Sequence, residues 1–172
     1  HAYQPPYQDV GVLRKINKEC YKPLFSMLEE HENIKISLNI NSNLIEMFHE
    51  FDLEDTLELL KTLVSDNKIE ILGTAKFHPI LPLIPKKEAQ NQSRLNEEIN
   101  SLEFQKWERK GFFPPEMSIN SKVAKFIRQL GYKWVIMSGI ACPIKWPYDY
   151  IYCSPNGLQL FFRDDVLSNK IS

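Results

Sequence analysis

Apolar residues in this chain repeat every second position in some stretches and every third or fourth in others, and the two kinds of stretch alternate. That order constrains the fold more than any other feature, because strands separated by helices pair in parallel through right-handed crossovers. In residues 10–30, Leu13, Ile16, Cys20, Leu24 and Leu28 recur at helical spacing, with Pro23 expected to kink or break the helix. Residues 34–40 alternate and read as a strand. Asn41 or Ser42 can cap a short helix carrying Leu44, Ile45, Met47 and Phe48, and Asp52 a longer one carrying Leu53, Leu57, Leu60 and Val64. Residues 69–72 form a second strand, and residues 73–85 a proline-containing loop. Residues 86–109 form a long polar helix whose few apolar residues, Leu95, Ile99, Leu102 and Phe104, are expected to face the core.

Phe112 and Phe113 form a third strand, stopped by Pro114 and Pro115, which cannot donate to a ladder. Val123, Phe126, Ile127 and Leu130 mark a helix ending at Gly131, and Trp134 to Met137 a fourth strand. A hairpin of residues 150–152 and 158–162 turns at Ser154-Pro155-Asn156-Gly157. The expectation is a single α/β domain over residues 1–172.

Composition narrows the function. A net charge of −1 gives no electrostatic support for a nucleic-acid or anionic-membrane partner, and no apolar run is long enough to span a bilayer. No G-x-G-x-x-G or P-loop follows a strand, so a nucleotide cofactor lacks its backbone cradle. Cys20, Cys142 and Cys153 have no metal-site spacing; they are expected to be reduced, mostly buried thiols, which favours a cytoplasmic setting.

Polar residues mark three strand ends: His1-Ala2-Tyr3-Gln4-Pro5-Pro6, Gly73-Thr74-Ala75-Lys76-Phe77-His78-Pro79, and Pro114-Pro115-Glu116. In a parallel sheet such ends share one rim, where α/β folds place their chemistry. Aromatic rings pack on the apolar faces of sugars, amides and imidazoles bind hydroxyls, and a carboxylate handles the glycosidic bond. Glu116, behind two rigid prolines, is the candidate catalyst. His1, Gln4, His78, Asn39 and Trp146 are candidate sugar-binding residues, and no metal site or cofactor is expected.

These motifs resemble glycoside hydrolase family 57. The opening is similar to that family's His-Gln-Pro motif. Ile69-Glu70-Ile71-Leu72-Gly73 with Phe77-His78-Pro79 is similar to its second motif, and Gly111-Phe112-Phe113-Pro114-Pro115-Glu116 to its third, which carries the nucleophile. The resemblance implies an incomplete (β/α)7 barrel of the glycoside hydrolase/deacetylase type, with parallel strands and outer helices. It implies a retaining enzyme acting on α-glucans, of amylase, glucanotransferase or branching type, through a covalent glycosyl-enzyme on Glu116. The acid/base aspartate would lie on a later strand, beyond Asp164 and Asp165. The chain is therefore expected to be an inactive fragment, lacking the first strand and the C-terminal strands of the barrel. Two other readings accompany this one. A metal-dependent polysaccharide deacetylase would need a second histidine after His78, where Pro79-Ile80-Leu81-Pro82 stands instead. A non-catalytic carbohydrate-binding module would keep the rim without the acid.

Overall fold

The computed structural model describes residues 1–142 and 147–171. Packing divides them into two compact units: residues 1–78 with 91–108, and residues 79–90 with the described residues from 109 onward.

The first unit opens with helix α1 (Val10–Ile16), which Asp9 caps by accepting from the Val12 amide at 3.0 Å. A π-helical turn (Asn17–Tyr21) leads directly into α2 (Lys22–Glu30). The helical run therefore does not break at Pro23. The wider turn just upstream accommodates the proline, which lacks an N–H and crowds the preceding turn. Leu13, Asn17, Tyr21, Phe25 and Leu28 form the buried face, and Cys20 faces outward.

Strand β1 (Ile36–Leu38) is followed by α3 (Ser42–Glu50), α4 (Glu54–Ser65) and strand β2 (Ile69–Ile71). β1 and β2 pair in parallel with Ile36 opposite Ile69, and Ala2 makes a parallel bridge to Ile40. Side chains of Leu44, Ile45, Phe48, Leu57 and Leu60 fill the core against this sheet. Neither expected cap acts as one. Asn41 stands at the N-cap of α3, but its Nδ2 donates to the Ala75 carbonyl. Asp52 adopts left-handed backbone (φ 56°), and Leu53 holds the N-cap of α4. Glu70 is half-buried and accepts from Ser37 Oγ on the neighbouring strand at 3.1 Å.

Helix α5 (Lys86–Glu103) supplies the last part of this unit. Of the expected apolar residues, Phe104, just past the helix, is buried in the core and Ile99 packs against it, but the others do not carry the buried face. Leu102 is exposed and Leu95 and Ile99 are half-buried, whereas Ser93, Asn96, Glu97 and Asn100 are buried at helical spacing. One of them meets the polar start of α3: Asn96 Oδ1 accepts from the Ser42 amide at 2.9 Å.

His49, near the end of α3, ties three helices together. Its Nδ1 lies 2.6 Å from Glu54 Oε1 and its Nε2 3.0 Å from Glu103 Oε1. Both ring nitrogens face acceptors, so both contacts are hydrogen bonds only in the imidazolium form. The bond to Glu54 raises the His49 pKa above 6.5, against partial burial and with help from Glu103. For Glu103, burial pushes the pKa up, but Lys61 (2.9 Å) and His49 outweigh it and the carboxyl titrates below 4.5. A raised histidine pKa contributes stability that is complete below 6.5 and is lost as pH climbs through the folded-state value. Thermal melts of the full-length protein between about pH 6 and 9 should therefore fall for wild type and run flatter for His49→Gln. Parallel curves would remove His49 as a source of the slope.

The second unit contains β3 (Gly111–Phe112), α6 (Ser121–Gln129), β4 (Trp134–Met137), β5 (Tyr152–Cys153), β6 (Gln159–Phe162) and α7 (Asp165–Ile171). Its sheet has the order β3-β4-β6-β5, parallel except for the antiparallel edge strand β5. Asn120 caps α6 by accepting from the Val123 amide at 3.0 Å, and Gly131 ends the helix region in left-handed backbone (φ +100°). The hairpin turns at Ser154–Gly157 as its sequence predicts. Phe112 is fully buried with its ring edge-on to Tyr132. Cys142 is buried, but Cys153 on the edge strand is exposed, as is Cys20, so most of the thiols are not buried as expected.

Candidate functional site

The candidate residues of the first unit lie on and beside the segments that follow its parallel strands. The bridge between Ala2 and Ile40 brings the opening segment beside the end of β1. There His1 Nδ1 lies 2.6 Å from Asn39 Oδ1. The segment after β2 turns back at His78, whose backbone is left-handed (φ 55°) and whose amide donates to the Ala75 carbonyl at 3.2 Å. An uncommon conformation of this kind in a non-glycine residue marks a position that the surrounding structure holds in place. The imidazole of His78 stacks with two other rings. His1 stacks on it at 4.9 Å and 26°, and Tyr3 at 4.7 Å and 20°.

Gln4 is held from both ends of the residue. Its Nε2 donates to the Tyr21 hydroxyl at 3.0 Å, and its carbonyl accepts from Asn43 Nδ2 at 2.7 Å. Burial raises the Tyr21 pKa, opposed by the bond from Gln4, and burial raises that of Tyr3. Of the sequence candidates, the fold therefore gathers His1, Asn39 and His78, and places Gln4 on the same segment as His1. Tyr3 completes the ring stack and is missed by reading the motif as His, Gln and Pro; the signal available was its place inside that motif.

Glu116 belongs to the second unit. It follows β3 on a single 3-10 turn (Pro115–Met117) before α6, the strand-to-helix connection its sequence predicts. Glu116 and Met117 are both left-handed, with φ of 56° and 51°. Proline disfavours helical backbone in the residue before it, which keeps Pro114 extended (ψ 133°) ahead of Pro115. The turn then closes through Met117 N to Pro114 O at 2.7 Å and Ser118 N to Pro115 O at 3.0 Å. The result is an exposed carboxylate at the carboxyl end of a parallel strand. Asp164 and Asp165 have structural partners. Asp164 Oδ1 accepts from the amides of Val166 and Leu167, and Asp165 pairs with Arg163 at 2.6 Å. Trp146 lies outside the described residues.

The family profile described as glycosyl hydrolase family 57 matches residues 3–172. The chain belongs to glycosyl hydrolase family 57. It is similar to an alpha-amylase of Pyrococcus abyssi, with 28% identity over 138 residues, covering 80% of this chain and 20% of the relative. It is also similar to a putative alpha-amylase of Methanocaldococcus jannaschii, with 25% identity over 168 residues, covering 93% of this chain and 35% of the relative. This family 57 chain thus spans between a fifth and about a third of the length of these relatives. Its fold is that of part of the 4-alpha-glucanotransferase of Thermococcus litoralis, with a TM-score of 0.88 at 22% identity, covering 98% of this chain and 27% of that one. No helix among the described residues is long and apolar enough to cross a membrane.

Proposed function

We propose that, within the full-length protein, this chain supplies the nucleophile and part of the sugar-binding rim of a retaining enzyme that acts on α-glucans. The observation that carries the reading is the position of Glu116, set on a doubly left-handed turn directly after a parallel strand of a family 57 chain. The relatives named alpha-amylase and 4-alpha-glucanotransferase support the substrate class. In this reading the Glu116 carboxylate attacks the anomeric carbon while the leaving glycosidic oxygen takes a proton from a second carboxyl group. That group must stand roughly 5–5.5 Å from the nucleophile. Water or a sugar hydroxyl then attacks the glycosyl ester, gives its proton back to the second carboxylate, and frees Glu116. His1, Gln4 and His78 would bind hydroxyls, with the Tyr3–His78–His1 stack as a flat wall.

The test is an assay of the full-length protein on amylose with products resolved by size. Shorter chains alone indicate transfer to water; longer chains appearing with shorter ones indicate transfer to sugar. Residues 1–172 alone are expected to produce neither. A full-length protein that leaves α-glucans unchanged would overturn the reading.

A further inference from the structure

We propose that Tyr21 is a positioning residue that holds the Gln4 carboxamide in the orientation that meets a substrate hydroxyl. Its role in binding rests on the sugar-binding reading of Gln4; its geometry does not. Gln4 Nε2 donates to the Tyr21 hydroxyl at 3.0 Å. A carboxamide has a donating end and an accepting end, and a phenol hydroxyl can bond to either. Whichever end it holds, the other is turned away from it. Here Nε2 is the held end, and among the described residues Oε1 has no partner. Nor is Oε1 one of the interior atoms that lack a bond, so it is open to a hydroxyl that donates to it.

Tyr21 is suited to this hold. It is buried, and its ring lies edge-on to the fully buried Phe48, with centroids 5.8 Å apart at 67°. The phenol is therefore fixed in place, and a hydroxyl removed from water is costly to leave without a partner. Burial raises its pKa, against the bond from Gln4, so it stays a neutral hydroxyl able to hold an amide. The main chain of Gln4 is fixed separately. Its carbonyl accepts from Asn43 Nδ2 at 2.7 Å, Asn43 is itself buried, and Pro5 restricts the backbone of the residue before it. What these contacts leave free is the Gln4 side chain, a long one with many rotamers. The Tyr21 bond removes that freedom before substrate arrives, so less ordering is left for binding to supply. Tyr21 reaches substrate through the amide, not directly.

Tyr21→Phe keeps the ring and removes only the hydroxyl, and Gln4→Met removes the amide. The experiment is NMR of the full-length protein labelled with 15N-glutamine, with the Gln4 side-chain signals assigned by their loss in Gln4→Met. In wild type these signals should lie apart from those of a free glutamine amide, and in Tyr21→Phe they should coincide with them. Free-amide signals in wild type would overturn the proposal, whether or not Tyr21→Phe folds, and so would Gln4 signals that Tyr21→Phe leaves in place. On α-glucan, Tyr21→Phe should lower kcat/KM about tenfold, and should lower it no further in the Gln4→Met background. Equal kcat/KM in Tyr21→Phe and wild type, or losses that add in the double variant, would also overturn it, because a hydroxyl that only stabilises the fold lowers the thermal midpoint without acting through Gln4. A full-length protein with the expected amide signals but no action on α-glucans would overturn the proposed function and leave the Gln4–Tyr21 pairing standing.

Discussion

Replacing Glu116 by Gln in the full-length protein is expected to preserve the fold and lower turnover of α-glucans by about a thousandfold or more. Glutamine has the shape of glutamate but no negative charge, and its amide oxygen is a poor nucleophile toward an anomeric carbon. The turn that carries the residue closes through the main-chain bonds from Met117 to Pro114 and from Ser118 to Pro115, which the substitution leaves in place. Circular dichroism and the thermal midpoint should therefore match wild type while the rate collapses. Mass spectrometry after incubation of the wild type with a slow-turnover fluorinated glycoside should find a glycosyl ester on the peptide containing Glu116, and none in the variant. Near-normal hydrolysis by Glu116→Gln would take this residue out of the mechanism.

A large loss of stability is expected from a much smaller change nearby. A Cβ at Gly111 would lie 2.2 Å from Trp134 Cζ2 and 2.4 Å from Cε2 and Cη2. Gly111 and Trp134 face each other in the parallel register of β3 and β4. The indole cannot retreat freely, because it packs edge-on against Phe161 with centroids 5.4 Å apart. What the position requires is space, and Gly111→Ala should destabilise by about 2–3 kcal/mol through overpacking. In the full-length protein this would appear as a lower thermal midpoint together with reduced activity, since β3 carries the turn to Glu116. Shrinking the partner in a Gly111→Ala, Trp134→Leu double variant should recover part of the loss, with a coupling of about 1 kcal/mol or more between the two sites. Equal midpoints for Gly111→Ala and wild type would show that the indole moves aside at no cost.

The parallel strands, the Gly131 stop and the Ser154–Gly157 hairpin were legible because each depends on local chemistry: alternation, a left-handed glycine, a turn that tolerates positive φ. The location of Glu116 was legible for the same reason, since two prolines end a strand wherever they occur. Three features depended on partners distant in sequence and were not. The inward face of α5 is polar, with Asn96 bonded to the Ser42 amide 54 residues away, and no rule that sends apolar residues inward finds Ser93, Asn96, Glu97 and Asn100. Asn41 has the composition of a helix cap but bonds instead to Ala75, a residue on another segment. The Tyr3–His78–His1 stack joins rings from the two ends of the first 78 residues. Spacing cannot reveal it, and the motif reading that singled out His1 and His78 did so without showing that they touch.

The π-helical turn before Pro23 also governs angular phase along the first helical run. Phe25 follows Leu13 by twelve residues, which in a regular α-helix, at about 100° per residue, would carry it about 120° around the axis and off the core face. A π turn takes up one extra residue, reducing the offset to about 20°, and both side chains are fully buried. The segment Asn17–Tyr21 is therefore the one place in the run that can lose a residue and become ordinary α-helix with Leu13 and Phe25 still on a common face. The same loss within α4 would turn everything downstream by about 100° and expose Leu60 or Leu57 to water.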